Sequence, residues 1–335
     1  MAIALGRCLI ATLLLWGALC EAQTRWVLAT AYPTNNFHTE NLQSFANEIT
    51  RATSGKLQIE VHAGGTLFKA NEIKGAVQGQ KAQVGEVLMS NLAGENPVYG
   101  VDSIPFLATS YADAERLWSA SKPVMQRLLE RDGVKLLYAV PWPPQGVFVN
   151  KPLGSAADMR ALKWRAYNAA TTRIAELVHA EPVVIQAAEL GQALASGRID
   201  SFMSSSATGV DNKVWDSLTH FYTVNAWLPK NMVIVNQRAF DALGSAEQAA
   251  ILKAALEAEK RGWRLSQEKN KEYLDVLGQH RMQVLNPPWR LRLDMDRVGR
   301  TMVGEWLQSA VRLGDSDGKV VLDEYLRSSS QARPR

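Results

Sequence analysis

Arg165 stands in the octet ALKWRAYN (161–168), between Trp164 and Tyr167. A guanidinium presents a planar fork of donors that fits a carboxylate bidentately, so an arginine at a strand end beside aromatic residues suits recognition of an organic acid. A surface salt bridge would use the same residue type, and the octet by itself leaves both open. Residues for bond making are scarcer. Ser119 and Lys122 form a Ser-x-x-Lys, the spacing of a nucleophile and its partner in serine acyl transfer, but within a helical pattern and without the companion motifs. There is no Gly-x-Ser-x-Gly elbow, phosphate loop or dinucleotide fingerprint. GDSDGKVVLDE (314–324) has the acidic look of a calcium loop, yet its glycine falls two positions early for an EF-hand, and it is read as a helix-terminating turn. The five histidines (38, 62, 179, 220 and 280) form no pair at zinc-binding spacing. Neither a metal nor a cofactor is expected.

The remaining polar and aromatic candidates gather where strands end. Asn36, Phe37 and His38 follow WVLATAY (26–32); Ser90 and Asn91 close AQVGEVLMS (82–90); Trp142 ends GVKLLYAVPW (133–142). Arg165 and Asn168 come next, then Ser204, Ser205 and Thr208 after RIDSFM, and Trp227 and Asn231 within VNAWLPKNMVIVN (224–236). Ligands of layered α/β sheets bind outside the carboxyl ends of strands, and neutral donors, aromatics and one arginine make a recognition set rather than a reactive one. Each serine or asparagine has a plainer role open to it as a turn or helix cap, and His38 as part of a helix start.

The elements that must position them alternate. A helix over 38–55 carries Leu42, Phe45, Ala46 and Ile49 on one face, KLQIEVH (56–62) alternates as a strand, and a helix is expected from about Asp113 to Arg131. Strands separated by helices predict a mainly parallel, layered α/β sheet. GVFVN (146–150) opens a second block with its own strands and helices, so two α/β domains with a cleft between them are expected, meeting near 142–147. From Ser245 a long helix begins, with Ser245 and Gln248 as a capping box and Leu252, Ala255, Leu256 and Ala258 as its apolar stripe. It is long enough to brace both domains. Helices near 290–312 and 318–328 follow, and the SSSQARPR tail is read as frayed.

Composition sets the outer bounds. With 47% hydrophobic residues and a net charge of +4 and no basic stripe, the chain is globular and not built for nucleic acid. MAIALGR, the apolar run CLIATLLLWGALC and the small residues after it have the layout of a secretory signal peptide. A buried N-terminal helix is the alternative, and Cys20 raises lipid attachment, against which stands the bulky Leu19. Cleavage after Ala22 would remove both cysteines, Cys8 and Cys20, leaving an exported protein held by core burial alone. The expected organisation is a signal peptide (1–22), a first α/β domain (23–142, with part of the C-terminal helices), a second (143–236), and a bracing helix with C-terminal helices spanning both (237–335).

PQGVFVNKPLGSAADMRALKWRAYN, EPVVIQAAELGQALASGRIDSFMSS and NAWLPKNMVIVNQRAFDAL resemble the extracytoplasmic solute-binding proteins of tripartite ATP-independent periplasmic (TRAP) transporters. The resemblance covers most of the chain after 22 and is strongest over about 144–243, with Glu181 as a minor departure. It implies a two-domain periplasmic solute-binding fold with hinge strands and a long bracing helix closing over an organic acid. It also implies that Arg165 grips the ligand carboxylate, that the protein works in the periplasm, and that its partners are a small carboxylate and the transporter's integral-membrane subunits. Some members carry a second arginine where QGVFVN has Val147 and Phe148. Its absence favours a monocarboxylate over a dicarboxylate. Trp142, Trp164, Trp215, Trp227 and Phe37 suggest an aromatic or apolar body, with Asn168, Ser204 and Asn231 serving its polar groups. A receptor for an ATP-driven importer, a sensory module, and a secreted hydrolase using Ser119 and Lys122 are the competing readings.

Overall fold

The computed structural model describes residues 23–312 and 316–331. The expected signal peptide (1–22) with both cysteines, residues 313–315 of the acidic segment and the last four residues lie outside them. The chain first lays down β1 (Thr24–Ala29), α1 (Phe37–Ala52), β2 (Leu57–His62), α2 (Ile73–Gln78), β3 (Val84–Leu88), α3 (Tyr111–Arg131) and β4 (Val134–Pro141). It then builds β5 (Gln145–Val149), β6 (Lys163–Ala166), α4 (Ala169–Leu177), β7 (Glu181–Val184), α5 (Leu190–Ala195), β8 (Ser201–Ser205), α6 (Ser206–Asp211) and β9 (His220–Tyr222). It returns through β10 (Lys230–Asn236), α7 (Gln237–Asp241), α8 (Ser245–Gln279), β11 (Gln283–Leu285), α9 (Trp289–Arg312) and α10 (Ser316–Gln331).

Two α/β sheets result, in the strand orders β2-β1-β3-β10-β4 and β11-β9-β5-β8-β6-β7. They are mixed rather than mainly parallel. In the first, β10 runs antiparallel to both β3 and β4; in the second, β5 runs antiparallel to β8 and β9. The reason is the path of the chain: β4 carries it out of the first sheet and β10 brings it back beside β4, so the two must oppose. β10 therefore belongs to the first sheet, although its residues fall inside the 143–236 block. Only 230–236 of the expected 224–236 strand is regular. Pro229, which has no amide hydrogen, precedes it, and its carbonyl accepts from Trp142 N at 2.8 Å. AQVGEVLMS likewise ends as a strand at Leu88 and tightens into a 3-10 turn over Met89–Leu92.

α8 has 35 residues, about 50 Å at 1.5 Å per residue. Its first half packs Ile251, Ala254, Ala255 and Ala258 into the core around Trp26, Phe45 and Tyr138 under the first sheet. Near its end Leu277 enters the cluster of Phe148, Phe202 and Phe221 behind the second. The buried stripe is rotated from the expected one: Leu252 and Leu256 are 46% and 52% exposed. The expected capping box is also absent. Gly244 is the N-cap, and Gln248 Nε2 donates to the carbonyls of Phe240 and Leu243, both at 3.1 Å. α10 brings Val321 and Tyr325 to the first sheet, whereas α9 buries Leu291, Met295, Val298 and Met302 against the second. Residues 316–324 of the acidic segment are the start of α10 rather than a turn.

α8 lies so close to β4 that a Cβ on Gly262 would fall 2.3 Å from Val140 Cγ2 and 2.9 Å from Asn41 Nδ2. Overpacking of this kind costs about 1–3 kcal/mol, offset in part by the ~1 kcal/mol helix preference for alanine over glycine. Gly262→Ala is expected to lower the melting temperature by a few degrees in calorimetry. A variant melting at or above the parent would show that helix and strand part freely.

Candidate ligand-binding site

Side chains of β6 alternate, and the alternation sorts the opening octet. Leu162 and Trp164 enter the core shared with Met159, Ile174 and Met203, while Arg165 and Tyr167 lie two residues apart on the other face. Arg165 is 3% exposed. Its Nε donates to the Ile185 carbonyl at 3.0 Å, and its guanidinium sits 4.9 Å from the centroid of the Tyr167 ring. Among the described residues no carboxylate lies within ion-pair distance of it, so it is not the surface salt bridge that the octet also allowed. Burial pushes its pKa down to about 10, with Tyr167 and Tyr32 pulling the other way, which leaves it cationic at neutral pH.

The guanidinium borders a cavity of about 300 Å³. The cavity forms where the strands of both sheets end or, for the antiparallel ones, begin. Tyr32 follows β1, Leu88 ends β3, Trp142 follows β4, Gln186 follows β7, Ser204 is the penultimate residue of β8, Gln145 opens β5 and Pro229 precedes β10. Arg165 is the sole cation among the described lining residues and Asp211 the sole anion. Tyr167 Oη donates to Gln145 Oε1 at 3.1 Å, fixing both side chains at the cavity wall. Burial raises the pKa of the Tyr32 and Tyr167 phenols, so both stay protonated.

Of the twelve expected site residues, Asn91, Trp142, Arg165 and Ser204 line the cavity. Most others form the layer behind it. Asn231 Oδ1 accepts from Trp142 Nε1 at 2.9 Å and from Tyr32 Oη at 3.4 Å, which holds both rings. His38 lies against Trp142 with ring centroids 4.3 Å apart, its Nδ1 3.2 Å from the buried Glu86 Oε1. Phe37 meets Trp142 edge-on from behind, at 5.6 Å, so it backs the wall rather than forming it. Asn36, Asn168 and Ser205 are N-caps of α1, α4 and α6, the plainer role left open for them. Two of these caps also tie elements of one sheet to elements of the other: Asn168 Nδ2 donates to Ser90 Oγ at 2.8 Å, and Asn36 Nδ2 to Asp211 Oδ2 at 2.6 Å. Trp227 is fully buried in the core with Trp164, and Trp215 stacks on His280 at 3.9 Å, so Trp142 is the one tryptophan of the expected set at the cavity.

Tyr32, Gln145, Tyr167 and Asp211 line the cavity and were not singled out. The period of two from Arg165 was a signal for Tyr167, and the start of QGVFVN, where a second cation was sought, supplies the neutral Gln145 instead. Asp211 gave none, since it sits at the end of a six-residue helix with ordinary polar neighbours.

The DctP family model, described as bacterial extracellular solute-binding protein family 7, matches residues 28–294. The chain belongs to that family. Among solved structures, an extracytoplasmic solute receptor of Bordetella pertussis binding pyroglutamic acid is 48% identical, with a TM-score of 0.88 over 91% of this chain and 100% of that one. A second Bordetella pertussis receptor binding pyroglutamic acid is 39% identical, with a TM-score of 0.88 over 90% and 99%. A marine metagenome TRAP solute-binding protein specific for pyroglutamate is 40% identical, with a TM-score of 0.88 over 91% and 99%. This family 7 chain is thus a TRAP-type extracytoplasmic solute-binding protein with the two-domain fold of such receptors. It is a binding protein and not an enzyme. The Ser119–Lys122 pair of the hydrolase reading sits in α3, where Lys122 Nζ pairs with Glu259 Oε2 at 2.8 Å.

Proposed function

We propose that this receptor captures a small ring-bearing monocarboxylate of the pyroglutamate type and hands it to TRAP membrane subunits. The observation that carries the reading is Arg165, a buried cation bordering the cavity with no carboxylate among the described residues within ion-pair distance to neutralise it. A desolvated guanidinium of this kind is stabilised by a carboxylate that arrives with the ligand. Trp142 and Tyr32 would flank the ligand body, with Gln145, Ser204 and Thr208 within the same wall for a ring carbonyl. Three receptors at 39–48% identity whose ligand is pyroglutamate support a compact polar ring in place of a flat aromatic one.

Ligand capture would close the two domains, with the Asn168–Ser90 and Asn36–Asp211 bonds forming as they meet and α8 as the brace. Closure would withdraw Arg165 and its ligand from water, where their attraction is strongest. Export through residues 1–22 into the periplasm fits a family that works outside the cytoplasm.

Titration calorimetry of the purified receptor tests the reading with pyroglutamate, benzoate and pyrrole-2-carboxylate side by side. Pyroglutamate is expected to bind tightest and, at a hundred times its dissociation constant, to stabilise the fold by about 2.7 kcal/mol in thermal melts. Tighter binding of benzoate would return the ligand class to planar apolar acids. Binding of no monocarboxylate would overturn the assignment.

A further inference from the structure

Asp211 is an acid in the wall of a cavity built around a cation, and Arg165 does not pair with it. It ends α6, where one carboxylate oxygen accepts from Asn36 Nδ2 at 2.6 Å. The other oxygen has no hydrogen-bond partner among the described residues, and the charged groups that act on Asp211 include Glu40 of α1, a like charge. From α8 the phenol of Tyr273 is near enough to feel it. No cation of α1, α6 or α8 is placed to neutralise it. Burial pushes its pKa up to about 6, with the Asn36 hydrogen bond opposing, so at neutral pH it is mainly ionised and can only accept hydrogen bonds. The other polar lining side chains, such as Gln145, Ser204, Thr208 and Asn212, are amides and hydroxyls that both donate and accept.

We infer that Asp211 is a specificity-determining residue that accepts a hydrogen bond from an N–H or O–H on the body of a monocarboxylate held by Arg165. The inference rests on the monocarboxylate reading above and adds to it the second polar feature of the ligand: a donor, away from the carboxylate. A ring N–H satisfies Asp211, whereas a ring oxygen or a second carboxylate at the same place faces an anion with nothing to offer it. A site built to hydrogen-bond a donor rejects the analogue that lacks it, because its half-buried acceptor is then covered by the ligand and left unpaired.

Asp211→Asn separates this role from a structural one. The amide oxygen can still accept from Asn36, so the tie between α6 and α1 survives, while the free oxygen becomes an NH₂ donor. Calorimetry would compare two matched pairs: pyroglutamate with 5-oxotetrahydrofuran-2-carboxylate, and pyrrole-2-carboxylate with furan-2-carboxylate. In each, ring N–H is replaced by ring oxygen. The wild-type receptor is expected to prefer the N–H member by about ten- to a hundredfold, and Asp211→Asn to abolish or reverse that preference. Equal affinity for both members in the wild type, a measurement that needs no variant, overturns the role of Asp211 and leaves the Arg165 reading standing. An unchanged preference in Asp211→Asn overturns it as well. Failure of all four acids to bind the wild type overturns the monocarboxylate reading together with this inference.

Discussion

Arg165→Ala is expected to weaken binding of the best monocarboxylate by two to three orders of magnitude in calorimetry while leaving the melting temperature of the empty receptor nearly unchanged. Removing one partner of a buried, hydrogen-bonded charge pair costs about 3–5 kcal/mol, most of it from the charge left behind. Here the charge left behind is the ligand's carboxylate, in a cavity whose one other charged residue among the described lining is the acidic Asp211. The fold has little stake in Arg165, because among the described residues its side chain makes one hydrogen bond, to the Ile185 carbonyl, and one ring contact, with Tyr167. Relief of a buried, uncompensated cation also works toward a stable empty variant. Arg165→Lys is expected to recover only a small part of the loss. Lysine keeps the charge but loses both the two-pronged fit to a carboxylate and the Nε donor that aims the group. Binding by the alanine variant within tenfold of the parent would sink the assignment of Arg165 as the anchor.

Several features of this receptor were legible in the residues because local chemistry fixed them. The two blocks, the bracing helix and the site at strand ends follow from alternating patterns and from the need to satisfy strand-end backbone. The strand-end rule points to Trp142, Arg165, Ser204 and Asn91, and all four line the cavity. The same rule overreached for Asn36, Asn168 and Ser205, since a strand end followed by a helix start demands a capping side chain whether or not a ligand is near. The direction of β10 was not legible. A buried strand in either orientation has the same apolar run, and only the return of the chain from the second sheet decides it. The stripe of α8 is not legible for a related reason: a helix packed on two cores buries alanines and Gly262 at close approach, while leucines at neighbouring positions stay outside. Asp211 and Gln145 are brought to the cavity by tertiary packing and leave no mark in sequence spacing.

Succinate, malate and fumarate are expected to bind at least about a hundredfold more weakly than the best monocarboxylate, because a second buried carboxylate without a partner costs several kcal/mol. The other basic side chains near the cavity are already engaged. Lys230, fully buried behind Pro229, faces Asp102 with Nζ 3.8 Å from Oδ2, and burial lowers its pKa while that carboxylate opposes the shift. His38 points Nδ1 at Glu86 and lies behind the Trp142 ring rather than in the cavity. The position after β4 where another cation was sought holds Gln145, whose amide oxygen is engaged by Tyr167 and whose Nε2 donates to the Pro143 carbonyl at 3.1 Å. A dicarboxylate would instead set its distal group among Trp142, Tyr32 and the like-charged Asp211. The low-energy escape is for that distal group to enter protonated, since neutralising it removes the desolvation penalty. Any residual fumarate binding should then take up a proton and strengthen as pH falls below neutrality, whereas monocarboxylate binding should not strengthen. Calorimetric titrations in two buffers of different ionisation enthalpy read the proton directly. A C4-dicarboxylate that binds tighter than every monocarboxylate without proton uptake would mean that closure recruits a second cation, and that Arg165 is not the only charge the ligand meets.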